Sequence, residues 1–253
     1  MYAEERQQAI AGLISQRGRV SVTDLADTYE VTTETVRRDL AALDRLGLIR
    51  RVHGGAVSAA AITLGETVLS EREHSNAQAK DRIAAAAVAY LPGQGGSVIL
   101  DAGTTTARIA PLLPLDRELT VVTNSIPVAA RCAGKHNLQV LGGRVRGVTQ
   151  AVVGDQAVTT LAGLRVDVAF VGTNALTAGH GLSTPDPDEA AVKKALVRCA
   201  NLVVVVADSS KVGREDLVSF ASVDAIDVLV TDNDLDPRAH TEFEAHGIEV
   251  VVA

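Results

Sequence analysis

Ser21 to Gly55 reads SVTDLADTYEVTTETVRRDLAALDRLGLIRRVHGG, and its caps, apolar stripe and glycines predict two helices joined by a tight turn, then a short basic hairpin. Ser21 stands at an N-cap position with Asp24 three residues on, so a hydroxyl and a carboxylate can satisfy free amides at the positive helix end. A short helix through Leu25, Ala26 and Tyr29 follows. Glu30 and Val31 make the turn, and Thr32 is the next N-cap. Val36, Leu40 and Leu43 then recur at helical spacing as an inward stripe, and Gly47 ends the helix.

That stripe leaves Thr35, Arg38, Ala42 and Arg45 on the outward face at about 100° of rotation per residue, with Thr33 and Arg37 flanking it. Thr hydroxyls and Arg forks near a helix N-terminus suit a DNA groove, because Arg donates to phosphate or guanine and Thr to either. The hairpin Leu48 to Gly55 alternates apolar and basic residues, which puts Arg50, Arg51 and His53 within reach of the phosphate backbone. Together these features describe a winged helix-turn-helix entering the major groove. A solvated amphipathic helix, with Asp39 and Asp44 interleaved among the arginines, accounts for the charges but not for cap, turn, stripe and hairpin occurring together.

The run VTTETVRRDLAALDRLGLIRRVHGGAV resembles the N-terminal module of the DeoR family of bacterial transcriptional regulators, whose signature is an RRDL-containing recognition helix followed by an R-x-HGGA wing. Thr32 stands where a serine is more usual, and Tyr29 where a phenylalanine is.

With 253 residues, the chain has room for a small and a larger domain, and 47% apolar residues supply a sizeable core. Aromatics make up 2%, too few for a base-stacking platform for RNA or single strands. The net charge of −7 is unexpected for a DNA binder. Residues 1–57, however, hold eight Lys/Arg and eight Asp/Glu, leaving sixteen against twenty-three for the remainder. The excess acid therefore lies outside the first module, and DNA contact is expected from that module alone. Cys132 and Cys199 sit far apart in apolar helical patterns without metal-ligand spacing, so neither a disulfide nor a metal site is expected, and no cofactor is implied. The N-terminus, MYAEERQQ, carries no signal peptide, and the longest apolar helical run, Ile83 to Leu91, is too short to cross a bilayer. A cytoplasmic protein without membrane contact is expected.

In chain order, residues 1–57 are read as the winged helix-turn-helix, with a first helix over residues 4–16 packing Ile10, Leu13 and Ile14 under the other two. Residues 58–74 read as a linker. Residues 75–253 read as an α/β domain: helices alternate with strands at Val98–Leu100, Leu119–Val122, Leu138–Leu141, Val166–Val171, Leu202–Ala207, Val228–Thr231 and Ile248–Val252. Continuous β-branched strands separated by helices imply a mainly parallel sheet covered on both faces.

Open parallel sheets bind ligands beyond the strand carboxyl ends, where this chain places DAGTTT after Leu100, TNS after Val122, GG after Leu141, GTN after Val171 and DSSK after Ala207. Gly103 permits close backbone approach. The hydroxyls of Thr104, Thr105 and Thr106 beside a helix start suit an anion, although Thr-rich turns also serve simply as caps. Lys211 adds a cation from a different loop.

VILDAGTTT, VVTNS, DVAFVGTNAL, HGLSTPDPDEAAVKKAL and VVVVADSSKVG resemble the C-terminal sensor domain of the same family, which shares its fold with ribose-5-phosphate isomerase. The resemblance implies a phosphorylated sugar as ligand, with Asp101, Gly103, Thr104, Thr105 and Thr106 as the anion loop, Asn124 as the second loop and Lys211 as the phosphate-pairing lysine. Asp186, Glu189 and Lys193 become candidates for the sugar hydroxyls. It also raises an enzymatic reading, a sugar-phosphate isomerase carrying a DNA-binding domain. Such an isomerase needs a carboxylate base to move a proton between adjacent carbons. The isomerase glutamate falls at or near Lys193 and its DGADE loop at Gly172-Thr173-Asn174, so a pocket that binds without turnover is expected, with Glu189 still open as a base. The resulting expectation is a homo-oligomeric repressor of sugar-metabolism genes whose paired modules read two half-sites of double-stranded operator DNA and leave it when a phosphosugar binds.

Overall fold

Ala3–Arg17 form the first helix (α1) of the computed structural model, which describes residues 3–17, 19–29, 31–45, 49–52, 55–58 and 69–253. Ile10 and Ile14, one helical turn apart, are fully buried. Next come β1 (Arg19–Ser21), α2 (Val22–Tyr29), α3 (Thr33–Arg45), β2 (Ile49–Val52) and β3 (Gly55–Ser58). Ser21 Oγ accepts the Asp24 amide at 3.0 Å and Thr32 Oγ1 the Thr35 amide at 3.2 Å, so both hydroxyls cap the helices they precede. Val36, Leu40 and Leu43 are buried with Leu25, Ile49 and Ala56 in one apolar cluster.

The hairpin of β2 and β3 is antiparallel, and β1 pairs with the other side of β3. Strand β1 was not expected, since three residues are too few to show alternation. Its closeness requires a glycine at position 55, where an added Cβ would lie 2.2 Å from the Val20 carbonyl oxygen.

The chain divides into two compact units, residues 1–68 and 69–253. Of the stretch read as a linker, residues 59–68 lie outside those described, whereas Leu69–His74 form a helix (α4) of the second unit. After it follow α5 (Ala77–Ala87), β4 (Ser97–Leu100), α6 (Thr106–Ile109), β5 (Thr120–Thr123), α7 (Ile126–Cys132), β6 (Asn137–Val140), β7 (Arg144–Arg146), β8 (Ala151–Val153), α8 (Asp155–Ala162), β9 (Val166–Val171), β10 (Ala175–Thr177), β11 (Gly181–Thr184), α9 (Pro187–Cys199), β12 (Ala200–Val206), β13 (Val218–Ala221), β14 (Val228–Thr231), α10 (Pro237–Ala245) and β15 (Glu249–Val252).

Seven of these strands make one wholly parallel sheet in the order β15-β14-β12-β9-β4-β5-β6. Alternate residues of each strand feed opposite faces. Val98, Leu100, Val168, Phe170, Val204 and Val206 pack with α5, α6 and α7. Ile99, Ala169, Val171, Val203 and Val205 pack with α8, α9 and α10. Cys132 and Cys199 are free, buried thiols, one in each cluster. Two antiparallel additions complete the unit, the hairpin β7-β8 and the small sheet β10-β11-β13. Among the described residues no helix is long and apolar enough to cross a membrane.

Candidate functional site

Polar side chains gather in two places, the outer face of α3 and the carboxyl ends of the parallel strands. On α3, Thr33, Arg37 and Arg38 are exposed and Thr35 is half-buried. Thr35 Oγ1 shares a hydrogen bond with Thr32 Oγ1 at 2.9 Å. Arg37 leans on Glu34 at 3.4 Å, with side chains 55% and 69% exposed; an ion pair so open contributes little. Arg38 has no hydrogen-bond or ion-pair partner among the described residues. Arg45 ends α3, and Arg50 and Arg51 lie on β2. Their side chains, and the whole of His53, fall outside the described residues. Asp39, whose alternation with the arginines also fits a solvated helix, is buried. Three residues after Val36, it shares that residue's inward side. There its Oδ2 accepts from Arg6 Nε at 2.6 Å and its Oδ1 from Gln7 Nε2 at 2.9 Å.

In the second unit the strand order reverses at β4: β5 and β6 extend the sheet one way, and β9, β12, β14 and β15 the other. Such a switch point opens a crevice beyond the strand ends. Asp101, the residue after β4, is completely buried. Its Oδ1 accepts the Ala102 amide at 2.8 Å and its Oδ2 the Gly172 amide at 3.1 Å. Lys193 of α9 also pairs with Oδ2, donates to the Gly172 carbonyl at 2.9 Å and lies 5.5 Å from the centre of the Phe220 ring. Burial pushes the Asp101 carboxyl up, and the Lys193 charge and the Gly172 amide oppose that push.

Asn124 Oδ1 accepts the Ala102 amide at 2.9 Å, joining the second loop to the first. Thr106 Oγ1 donates to the carbonyls of Asp101 at 2.7 Å and Gly103 at 2.9 Å. A Cβ on Gly103 would stand 3.0 Å from that hydroxyl, so the absence of a side chain is part of this loop's packing. Thr104 and Thr105, by contrast, have hydroxyls without hydrogen-bond partners among the described residues.

Asp186 and Glu189 meet a residue that spacing did not reveal. Arg146, from hairpin β7-β8, pairs with Asp186 at 3.0 Å and Glu189 at 2.9 Å. Thr149 donates to the same Glu189 oxygen. Asp186 also caps α9 by accepting the Glu189 amide at 2.9 Å. The structure thus joins Asp101, Thr106, Asn124 and Lys193 in one network and Asp186 and Glu189 in another.

Lys211 follows β12, half-buried and without a hydrogen-bond partner for its ammonium among the described residues. Burial lowers its pKa, Asp208 works against that, and Arg72 and Arg214 reinforce it. Within electrostatic reach lies Lys80 of α5, which the sequence showed only as one charge in the Ala-rich run AQAKDRIAAAA. Lys80 Nζ donates to the carbonyls of Arg72 at 2.5 Å and Ser75 at 2.7 Å. Arg108, which also acts on Lys80, reaches the Thr104 carbonyl at 2.8 Å. These cations run from the Thr loop to the end of β12. Among the described residues no cluster of His, Cys, Asp and Glu could hold a metal ion.

Burial brings Lys80 from 10.5 down to about 8, against the opposing charge of Asp208. A folded-state value below the unfolded one means that the unfolded chain binds the extra proton between these limits, so this group's contribution to stability rises with pH across that window. Wild type should therefore gain stability relative to Lys80→Met between about pH 7 and about pH 9.5. Urea unfolding of both proteins at the two pH values checks this; a constant difference refutes it.

Residues 6–61 match the DeoR-like helix-turn-helix domain and residues 75–233 the DeoR C terminal sensor domain. The chain belongs to the DeoR family. The HTH-type transcriptional regulator GlpR of Haloferax volcanii is 40% identical over 252 residues, covering 99% of this DeoR-family chain and 98% of that protein. The glycerol-3-phosphate regulon repressor of Escherichia coli K12 is 29% identical over 92% of each chain. Among solved structures, ribose 5-phosphate isomerase A of Methanocaldococcus jannaschii aligns at 20% identity over 55% of each chain, with a TM-score of 0.40. A DeoR-type helix-turn-helix ahead of a DeoR sensor domain makes this chain a DNA-binding transcriptional regulator.

Proposed function

We propose that the chain is a homo-oligomeric repressor that leaves its operator when a phosphorylated sugar occupies the strand-end site. The observation that carries this reading is the set of polar groups without hydrogen-bond partners among the described residues: the Thr104 and Thr105 hydroxyls beyond β4 and the Lys211 ammonium beyond β12. Only β9 separates those strands, which puts them about 10 Å apart. A phosphate held at one end leaves a sugar body to reach toward Asp186, Glu189 and Lys193. The glycerol-3-phosphate regulon repressor among the relatives supports a phosphorylated effector.

Turnover is not part of the proposal. Glu189 is held by Arg146 and Thr149, and Lys193 by Asp101, so the carboxylate and the lysine at the positions of interest for proton transfer are both tied to protein partners. A single module contacts too few base pairs for genomic specificity, which calls for two copies on two half-sites. Release then requires the effector to favour the DNA-free arrangement by about 1–3 kcal/mol of coupling.

Thr105→Ala/Lys211→Ala is expected to bind operator as wild type does while losing the response to phosphosugar. Parallel titrations of DNA and effector against both proteins test it. Loss of DNA binding in the variant would assign these residues to the fold, and an unchanged effector response would remove them from the site.

A further inference from the structure

Val36, Leu40 and Leu43, buried at helical spacing, set which face of α3 turns inward, but they do so through apolar contacts, which are non-directional. Asp39 is directional. It takes the Arg6 guanidinium on one oxygen and the Gln7 amide on the other, both from α1, and the Arg6 and Asp39 side chains keep only 10% and 5% of their exposure. Its chain neighbour Arg38 points out and its other neighbour Leu40 points in. Anchoring Asp39 therefore fixes the azimuth at which Arg38 leaves the helix. Replacing a buried ion pair by apolar side chains of similar size is often neutral or stabilising, and the best-attested use of such a pair is to set register.

We propose that Arg6 and Asp39 are positioning residues, whose bond sets the rotation of α3 for sequence reading and is not needed to hold the module together. This rests on α3 being the helix that reads the operator. Neither side chain touches DNA in this account. Pairing strengthens the charged form of Arg6, which raises its pKa.

The test uses the full chain and an operator selected by wild type from random duplexes. Affinity for that operator and for a scrambled duplex is measured at several salt concentrations, together with the thermal midpoint. Arg6→Met/Asp39→Leu, which leaves net charge unchanged, is expected to keep the midpoint, the scrambled-duplex affinity and its salt slope, while the operator-to-scrambled ratio falls at least tenfold. Arg6→Lys keeps the charge but not the planar fork, and is expected to lose part of the ratio at an unchanged midpoint. Retention of the full ratio in the double variant overturns the inference, and so does failure of that variant to fold, which would make the pair a stability element. Arg38→Ala separates this from the underlying reading: if it leaves the ratio intact while the double variant loses it, the assignment of the reading side chain fails and not the positioning.

Discussion

Asp101→Ala is expected to destabilise the second unit by about 3–5 kcal/mol, because it strands the Lys193 ammonium, to which no other carboxylate is bonded among the described residues. Asp101 is fully buried and Lys193 nearly so, and the pair joins the end of β4 to α9 across the switch point of the sheet. The Gly172 amide loses an acceptor in the same substitution, which adds to the loss, since an unpaired buried donor bears its full desolvation cost. Lys193→Met on top of Asp101→Ala should recover much of the deficit by removing the orphaned charge. Urea unfolding followed by circular dichroism measures both. A single-variant loss below about 1 kcal/mol would mean that the Lys193 side chain finds water without consequence, and the pair would not be structural.

Arg38→Ala is expected to cost about 1–3 kcal/mol of operator affinity per module, and twice that for a pair reading two half-sites. Of the α3 arginines, Arg38 is exposed without a protein partner among the described residues, whereas Arg37 shares its charge with Glu34. A base-reading arginine gives discrimination, so affinity for scrambled DNA should fall much less than affinity for operator. Competition binding at fixed salt separates the two quantities. Equal losses on both duplexes would reassign Arg38 to the phosphate backbone.

Much of this molecule was legible in the chain because its signals are local. Ser21 and Thr32 bond the amides three residues on, and Val166–Val171 and Val228–Thr231 are strands at the limits their β-branched runs imply. Long-range partner choice was not legible. Asp39 looked like one acid among exposed arginines until α1 brought Arg6 to it from 33 residues away. Arg146 reaches Glu189 across 43 residues through a hairpin with three-residue strands, too short to show a period. Lys80 sat in an alanine-rich helix with nothing nearby in sequence to mark its burial.

The loops beyond the parallel strands were recognisable because strand ends and glycines are sequence features. What each side chain does there was not. Thr104, Thr105 and Thr106 are adjacent and chemically identical, yet Thr106 closes its own loop while the other two hydroxyls have no hydrogen-bond partners among the described residues. That division depends on backbone geometry and on no property of the residues themselves.

The central claim is that one molecule couples DNA to a phosphorylated ligand. Its most direct test is fluorescence anisotropy of the full chain on its selected operator at fixed salt, titrated with a panel of sugar phosphates, the matching unphosphorylated sugars and inorganic phosphate. Release by a phosphosugar, with no release by the same sugar lacking phosphate, is the predicted result. Tight operator binding that no member of the panel alters would contradict the account at the effector site and leave the DNA module standing.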